Sequence, residues 1–322
     1  MILIGSSDPG AIKYFLEIYK ELNSKVYFTY PITAKKILIK KGIKNTSNWK
    51  NLKKIDLVMT GASTGETLDK ELIIWAKRKK ITCISVIEHW TTFKERFRYK
   101  GRYLFPNKIF VNDLLAKKLA INCGINKDII ISIGNPILEK LSIKYKTKNM
   151  TRKIPHKKDN YIFLSEPIYE SDLKKINKNK SLEFRTVEHL IEHLKKDTEL
   201  TIKLHPREKK SKYNKYLKIN KNIKIKSELS LASIANNYRY IIGIKTFLLF
   251  ELYFLRHDIF SINLDGNNFV GEYLGVTKNI AHLNEIKNKI KFYKKIQFEE
   301  KFIGSKFKII KKINQLKRKS IK

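Results

Sequence analysis

The sequence predicts two successive domains of the parallel α/β class, and three observations predict them. Short apolar runs alternate with stretches of helical spacing, each run stops in a polar or glycine-containing loop, and a charged, aperiodic stretch divides a first series from a second. Runs that are apolar throughout, such as Ile55–Thr60, suit strands covered on both faces of a parallel sheet. Two such domains with their strand ends open would face each other across a cleft.

Residues 1–142 form the first domain. Ile2–Gly5 reads as a strand leading into Ser6–Gly10, and a helix follows over about 11–22, with Ile12, Phe15, Leu16 and Tyr19 at helical spacing. Val26–Thr29 is a second strand. Ile55–Thr60 ends in Gly61–Thr67, GASTGET, ahead of a helix over about 68–79. Ile81–Ile87 is a strand ending in Glu88-His89-Trp90, and Lys108–Asn112 follows Pro106. A helix covers 114–123, and Ile129–Ile133 runs into Gly134-Asn135-Pro136, a turn at the hinge.

Residues 143–160 are charged and lack periodicity, the mark of an inter-domain linker. The second domain, 161–295, restarts with strand Tyr161–Ser165, a helix around 184–194, strand Leu200–Leu204 and strand Ile223–Ile225. A short helix near 229–236, strand Tyr240–Ile244, a helix from Phe247 and strand Ile259–Leu264 complete it. The tail, 296–322, is Lys-rich with Ile309, Ile310, Ile313 and Leu316 at helical spacing. It is expected to pack back on the body as a helix; an interfacial membrane helix is the sharper alternative.

The chain carries 68 basic against 30 acidic residues, a formal charge of +38. A polyanionic partner is one explanation. However, the excess is Lys, spread along the chain, whereas readers of nucleic acid lean on clustered Arg. We therefore expect no nucleic-acid partner and a weak preference for anionic surfaces, including a membrane. Cys83 and Cys123 are isolated thiols without metal-ligand spacing. No apolar run reaches the ~20 residues needed to span a bilayer, and MILIGSS does not read as a signal peptide. The expected location is cytoplasmic, with peripheral attachment to the inner face of the membrane as the variant.

The chemistry concentrates at strand ends. Leu200–Leu204 stops at His205-Pro206-Arg207, because proline gives no ladder hydrogen bond and biases the preceding residue away from helix. Ligands of open α/β sheets bind just beyond such ends. Tyr240–Ile244 repeats the design, breaking at Lys245-Thr246 before an apolar helix that carries Glu251. Thr246 is placed at the helix N-cap, where N–H groups and the dipole favour phosphate, and Lys245 adds a charge. Glu251 would pair with a ribose hydroxyl or a lysine. GASTGET lacks the spacing of both nucleotide fingerprints. Its Gly61 allows a tight turn, Ser63 and Thr64 would face the cleft, and Glu66 is the first candidate for a catalytic base. In EHWTTFKERF, Trp90 offers a flat apolar face, and Glu88, His89 and Arg96 offer polar handles to a sugar; the aromatic residues would serve equally as core of the next helix. His189 and His193 are four apart, but with no third ligand apparent they read as surface residues, and no metal is expected.

Taken in order, GASTGETLDK, EHWTTFKERF, FPNKIFVND, IGNP, IKLHPRE and IIGIKTFLLFE resemble a GT-B glycosyltransferase of bacterial surface-polysaccharide biosynthesis. The likeness is to the loose group with a Lys-x-His-Pro motif, here Lys203–Pro206, that includes capsule, sialic-acid-type and teichoic-acid polymer transferases. It implies two Rossmann-like domains, an amino-terminal one for the acceptor and a carboxy-terminal one for the donor. It implies that His205 contacts the donor phosphate and helps the nucleotide leave, that Thr246 binds the same phosphate, and that Glu251 holds the helix or the ribose. The implied co-substrate is a nucleotide sugar, often CMP- or CDP-linked, and the implied acceptor is a glycan or lipid-linked glycan. Lys203, His205, Arg207 and Lys245 would stabilise the leaving phosphate without metal or other cofactor. Resemblance does not fix the base, so Glu66 and Glu88 stay rivals. The nearest rival enzyme is a non-hydrolysing nucleotide-sugar 2-epimerase of the same architecture, which would need cleft histidines and arginines that the first domain does not display. A basic nucleic-acid-binding protein is a rival of a different class, and a non-catalytic relative of the same fold is another.

Overall fold

The computed structural model describes residues 1–65, 67–146, 159–171, 181–256, 258–266, 269–286 and 298–319. The chain divides into two compact units: Met1–Lys140 with Lys301–Lys322, and Leu141–Glu300.

Unit 1 is built on strands β1 (Ile2–Gly5), β2 (Val26–Thr29), β3 (Leu57–Thr60), β4 (Thr82–Ile87), β7 (Lys108–Val111) and β8 (Ile130–Ser132), in the order β2-β1-β3-β4-β7-β8. Every pairing is parallel. The strands are apolar because helices cover the sheet: Ile2, Leu3, Ile4, Leu57, Val58, Met59 and Ile84 are fully buried. Those helices include α1 (Pro9–Leu16), α2 (Ile32–Ile39), α3 (Leu68–Arg78) and α4 (Leu114–Asn122). The first helix is shorter than its periodicity suggested, ending at Leu16 with a separate 3-10 turn at Tyr19–Glu21.

In unit 1 a helix and a hairpin are not announced by the sequence. Helix α2 buries Ala34 and Leu38, one turn apart. A two-stranded hairpin, β5 (Arg98–Tyr99) and β6 (Arg102–Tyr103), turns through Lys100 and Gly101, both at positive φ, as a primed two-residue turn requires.

Gly134-Asn135-Pro136 is more than a turn. Pro136 opens α5 (Pro136–Lys146), and Asn135 caps it by accepting from the N–H of Ile137 at 3.0 Å and of Leu138 at 3.2 Å. The helix runs to Lys146, into the stretch read as linker; residues 147–158 lie outside those described. Helix α12 (Ser305–Lys319) packs on unit 1, with Ile309 and Ile313 fully buried. Burial of one such side chain is worth about 1.5–3 kcal/mol. Glu139 of α5 ties the start of α12 down, accepting from the N–H of Gly304 at 2.6 Å and of Lys306 at 2.7 Å.

Unit 2 has strands β9 (Asn160–Leu164), β10 (Glu199–Lys203), β11 (Ile223–Lys226), β12 (Tyr240–Gly243), β13 (Ile259–Ile262) and β14 (Lys278–Ile280). All are parallel, in the order β11-β10-β9-β12-β13-β14. Its first three strands run outward to one edge and the next three to the other, the order of the doubly wound dinucleotide-binding sheet. Between strands run α6 (Ile168–Ser171), α7 (Leu182–His193), α8 (Asn214–Leu217), α9 (Leu231–Asn237), α10 (Phe247–Tyr253) and α11 (Val270–Tyr273). Phe163, Phe184, Val187, Leu190, Ile202, Tyr213 and Ile242 form the heart of the core. Both units are therefore Rossmann-like, as expected.

Candidate functional site

Strand order says where to look. In an open parallel sheet a crevice forms beyond the carboxyl ends of the strands where the winding reverses. That place lies between β1 and β3 in unit 1, and between β9 and β12 in unit 2.

In unit 1 the loop after β1 is bound to the start of α3. Ser6 Oγ donates to Asp69 Oδ1 at 2.8 Å, and the Ser7 N–H donates to Asp69 Oδ2 at 3.0 Å. Gly61, just past β3, has no space for a side chain, since a Cβ there would lie 2.8 Å from both Ala11 Cβ and Asp69 Oδ1. Lys70 is buried at 1% exposure and its Nζ donates to the carbonyl of Ser63, which orders the GASTGET loop. Burial pulls the Lys70 amine down to about 8, with Arg96 pulling the same way and Asp69 opposing. Ser63 is itself buried, and its Oγ has no hydrogen-bond partner among the described residues.

Glu88, past the end of β4, is the acid of this cluster. It is 5% exposed, and burial pushes its carboxyl up to about 7, helped by the charge of Asp8 and countered by Arg96. A Cβ on Gly10 would come within 2.6 Å of Glu88 Oε1, so glycine there leaves room for the carboxyl against α1. Asn112, past β7, donates to the Glu88 carbonyl at 2.8 Å, and Asn135 donates to Asn112 Oδ1 at 3.0 Å. Arg96 donates to the carbonyls of Ala62 at 3.1 Å and Thr91 at 3.3 Å, joining the β3 and β4 loops. His89 Nδ1 accepts from the Trp90 N–H at 3.0 Å.

Thus Gly61, Ser63, Glu88, His89 and Arg96 gather at the strand ends of unit 1, and Thr64 lies half-buried on the same loop. Glu66 lies outside the described residues. Trp90 is corrected: it is 2% exposed, its ring meets Phe302 edge-on at 6.3 Å and its Nε1 donates to Asp113 at 3.0 Å, so it offers no open face to a sugar.

In unit 2 the ends of β10, β9 and β12 stand side by side, with Lys203, Leu164 and Gly243 in register. A chain of hydrogen bonds joins the loops that follow. The Lys245 N–H donates to Glu166 Oε1 at 2.6 Å, Ser165 Oγ donates to Glu208 Oε1 at 2.8 Å, and the His205 N–H donates to Glu208 Oε2 at 2.6 Å. His205 Nδ1 accepts from the Arg207 N–H at 3.1 Å, and Lys203 Nζ donates to the Leu204 carbonyl at 3.1 Å. Beneath them Lys212, fully enclosed, pairs with Glu208 at 2.7 Å, Glu170 at 2.9 Å and Glu183 at 3.0 Å. Burial alone would lower its amine; the three carboxylates more than reverse that and leave it raised.

Thr246 caps α10, its Oγ1 accepting from the Leu248 N–H at 3.4 Å. Glu251 is buried on that helix, and Pro206 is exposed. Glu166, buried between the β9 and β12 ends, was not singled out from the sequence. It stands before Pro167 as His205 stands before Pro206, so the rule that found one could have found the other. Asp8, Asn112 and the Lys212 group were missed as well.

Helix α7 brings His189 and His193 within 4.0 Å ring to ring, and His282 lies 5.5 Å from His189. Even so, no group of three His, Cys, Asp or Glu among the described residues is set to hold a metal ion. Among the same residues no helix is long and apolar enough to cross a membrane.

No family model and no curated protein matches the chain. Solved structures do. The chain resembles a UDP-GlcNAc 2-epimerase of Methanocaldococcus jannaschii in complex with UDP-GlcNAc and UDP, at 16% identity and a TM-score of 0.66 over 98% of this chain and 99% of that one. It resembles a UDP-GlcNAc 2-epimerase of Neisseria meningitidis bound to UDP-GlcNAc, at 15% identity and a TM-score of 0.63 over 98% and 99%. HepE of Anabaena in complex with UDP-glucose gives 10% identity and a TM-score of 0.55 over 99% and 98%.

At these identities the likeness establishes the two-Rossmann-domain fold. It also corrects the glycosyltransferase expectation, because structures sharing this fold from end to end are UDP-GlcNAc 2-epimerases, which isomerise. The physical reason is plain. Lys203–Pro206 and Lys245-Thr246 mark strand ends suited to a nucleotide, and such ends serve transfer and isomerisation alike.

Proposed function

We propose that this chain acts on a nucleotide sugar and inverts carbon 2 of the sugar, as a non-hydrolysing 2-epimerase. The full-length likeness to UDP-GlcNAc 2-epimerases supports the ligand class. The observation that carries the reading is Glu88, a buried carboxyl raised to about 7 at the strand ends of unit 1. A general base works best when its pKa lies near the operating pH.

The chemistry explains why such a group is needed. Carbon 2 of a pyranose has no adjacent carbonyl, so its proton is not acidic. Inversion can proceed if the proton leaves for a base while the neighbouring C1–O bond breaks, its electron pair going to the diphosphate. Re-addition of diphosphate and a proton, the proton arriving on the opposite face, completes the change. Glu88 takes the base role, and the charge that builds on the departing diphosphate calls for cationic groups and N–H donors. The scheme invokes no metal and no bound cofactor.

The test is proton NMR of UDP-GlcNAc incubated with the protein in deuterated water. Deuterium at carbon 2 and growth of the manno epimer are expected. An unchanged substrate, or free nucleotide with a hydrolysed sugar, would refute the reaction. A thermal-shift comparison of UDP, CMP, CDP and GDP names the nucleotide, because stabilisation grows with ligand concentration over Kd.

A further inference from the structure

Glu166 has a placement that the proposed reaction does not use. One oxygen, Oε1, is tied to the Lys245 N–H at 2.6 Å, across the point where the unit 2 sheet reverses its winding. The other, Oε2, makes no hydrogen bond among the described residues and is not one of their enclosed atoms, so it stays open to a ligand although the residue is only 8% exposed. On the next loop Arg207 Nε is enclosed, again without an acceptor among the described residues. A buried donor lacking its acceptor is costly, and a ligand that supplies one removes the cost. An acceptor-rich anion such as a diphosphate suits the arginine. It suits Glu166 only if that group carries a proton.

We propose that Glu166 is a ligand-contact residue of the nucleotide-sugar site, its Oε2 bearing a proton that it donates to a phosphate oxygen. The inference rests on the nucleotide-sugar part of the reading above and not on the epimerisation. Protonation at neutral pH is consistent with the surroundings: burial pushes the carboxyl up to about 7, with Glu208 and Glu183 adding to it and Lys245 opposing through its N–H and its charge. The facing groups are thus Lys245 from the loop after β12, Glu208 from the loop after β10 and Glu183 from α7, and Lys212 donates to the Glu166 carbonyl at 3.3 Å. Ionisation would set a carboxylate against a phosphate, so affinity falls as pH rises through about 7.

The experiment is calorimetric titration of the intact chain with UDP-GlcNAc from about pH 6 to about pH 8.5 at fixed ionic strength. Both phosphates of this ligand stay ionised across that range, so a trend belongs to the protein. Wild-type affinity should fall about tenfold or more. Glu166→Gln, which donates at every pH, should keep the low-pH affinity and remove most of the trend. Glu166→Ala should bind about tenfold more weakly at low pH. Any share of the trend that comes from another group survives in the Gln variant. A Gln variant with the whole wild-type trend, a Gln variant as weak as the Ala variant at low pH, or no binding by the wild type would each overturn the inference. If UDP-GlcNAc binds as described but carbon 2 never inverts, the proposed reaction fails and this contact stands.

Discussion

Unit 1 and unit 2 each hold at their strand ends a buried carboxyl that burial raises to about 7, Glu88 and Glu166. Their company differs. Glu88 has Asp8 and Asp69 close enough to raise it further, with Arg96 as the opposing charge. Glu166 has Glu208 and Glu183 raising it too, but it is held by a main-chain N–H, its neighbouring loops carry His205, Arg207 and Lys245, and a fully paired Lys212 lies below. Equal desolvation therefore yields two different tools. An acid among acids can take and return a proton, whereas an acid among donors can complete a shell around an anion.

The comparison can be broken or sharpened by substitution. Glu88→Gln should lower carbon 2 exchange by about 10³-fold while leaving UDP binding near wild type, as steady-state rates and calorimetry would show. Lost binding with intact exchange would invert the assignment of the two units. Lys212→Met leaves Glu208 and Glu183 buried and unpaired, so unfolding in urea should show a loss of about 3–5 kcal/mol. The same result from Lys70→Met in unit 1 would show that the contrast between the units is not in their ionic cores. His205→Ala should weaken nucleotide-sugar binding about 10–100-fold with little change in stability. The smallest effect concerns pH. Each raised carboxyl binds its proton more tightly folded than unfolded, so its stabilising share is complete below the ordinary value of 4.5 and is lost as pH rises through about 7. At pH ~8, Glu88→Gln and Glu166→Gln should each exceed wild type by roughly 1–3 kcal/mol in denaturant titration.

Strand ends were legible because they follow local rules. Pro9, Pro31, Pro136, Pro167 and Pro206 each fall shortly past a strand of one of the two large sheets, and Asp8, Asn135, Glu166 and His205 each stand immediately before one of them. The helix periodicity of 68–78 and 305–319 was equally plain. What the sequence hides is assembled over distance. Lys212 meets carboxylates from positions 170, 183 and 208, and nothing near any of them announces the others. Trp90 looked like a platform because its neighbours are polar, but its cover comes from Phe302, more than 200 residues away in the chain. The reaction was illegible for another reason: residues that hold a nucleotide do not say which sugar bond changes.

Helix α12 has a consequence for synthesis. Unit 1 needs Phe302, Ile309 and Ile313, the last of its core to leave the ribosome, whereas unit 2 is complete at Glu300. The usual vectorial order, amino-terminal domain first, is reversed here. Until Phe302 and that helix emerge, the nascent sheet of unit 1 lacks the ring that meets Trp90 and the apolar cover of Ile309 and Ile313.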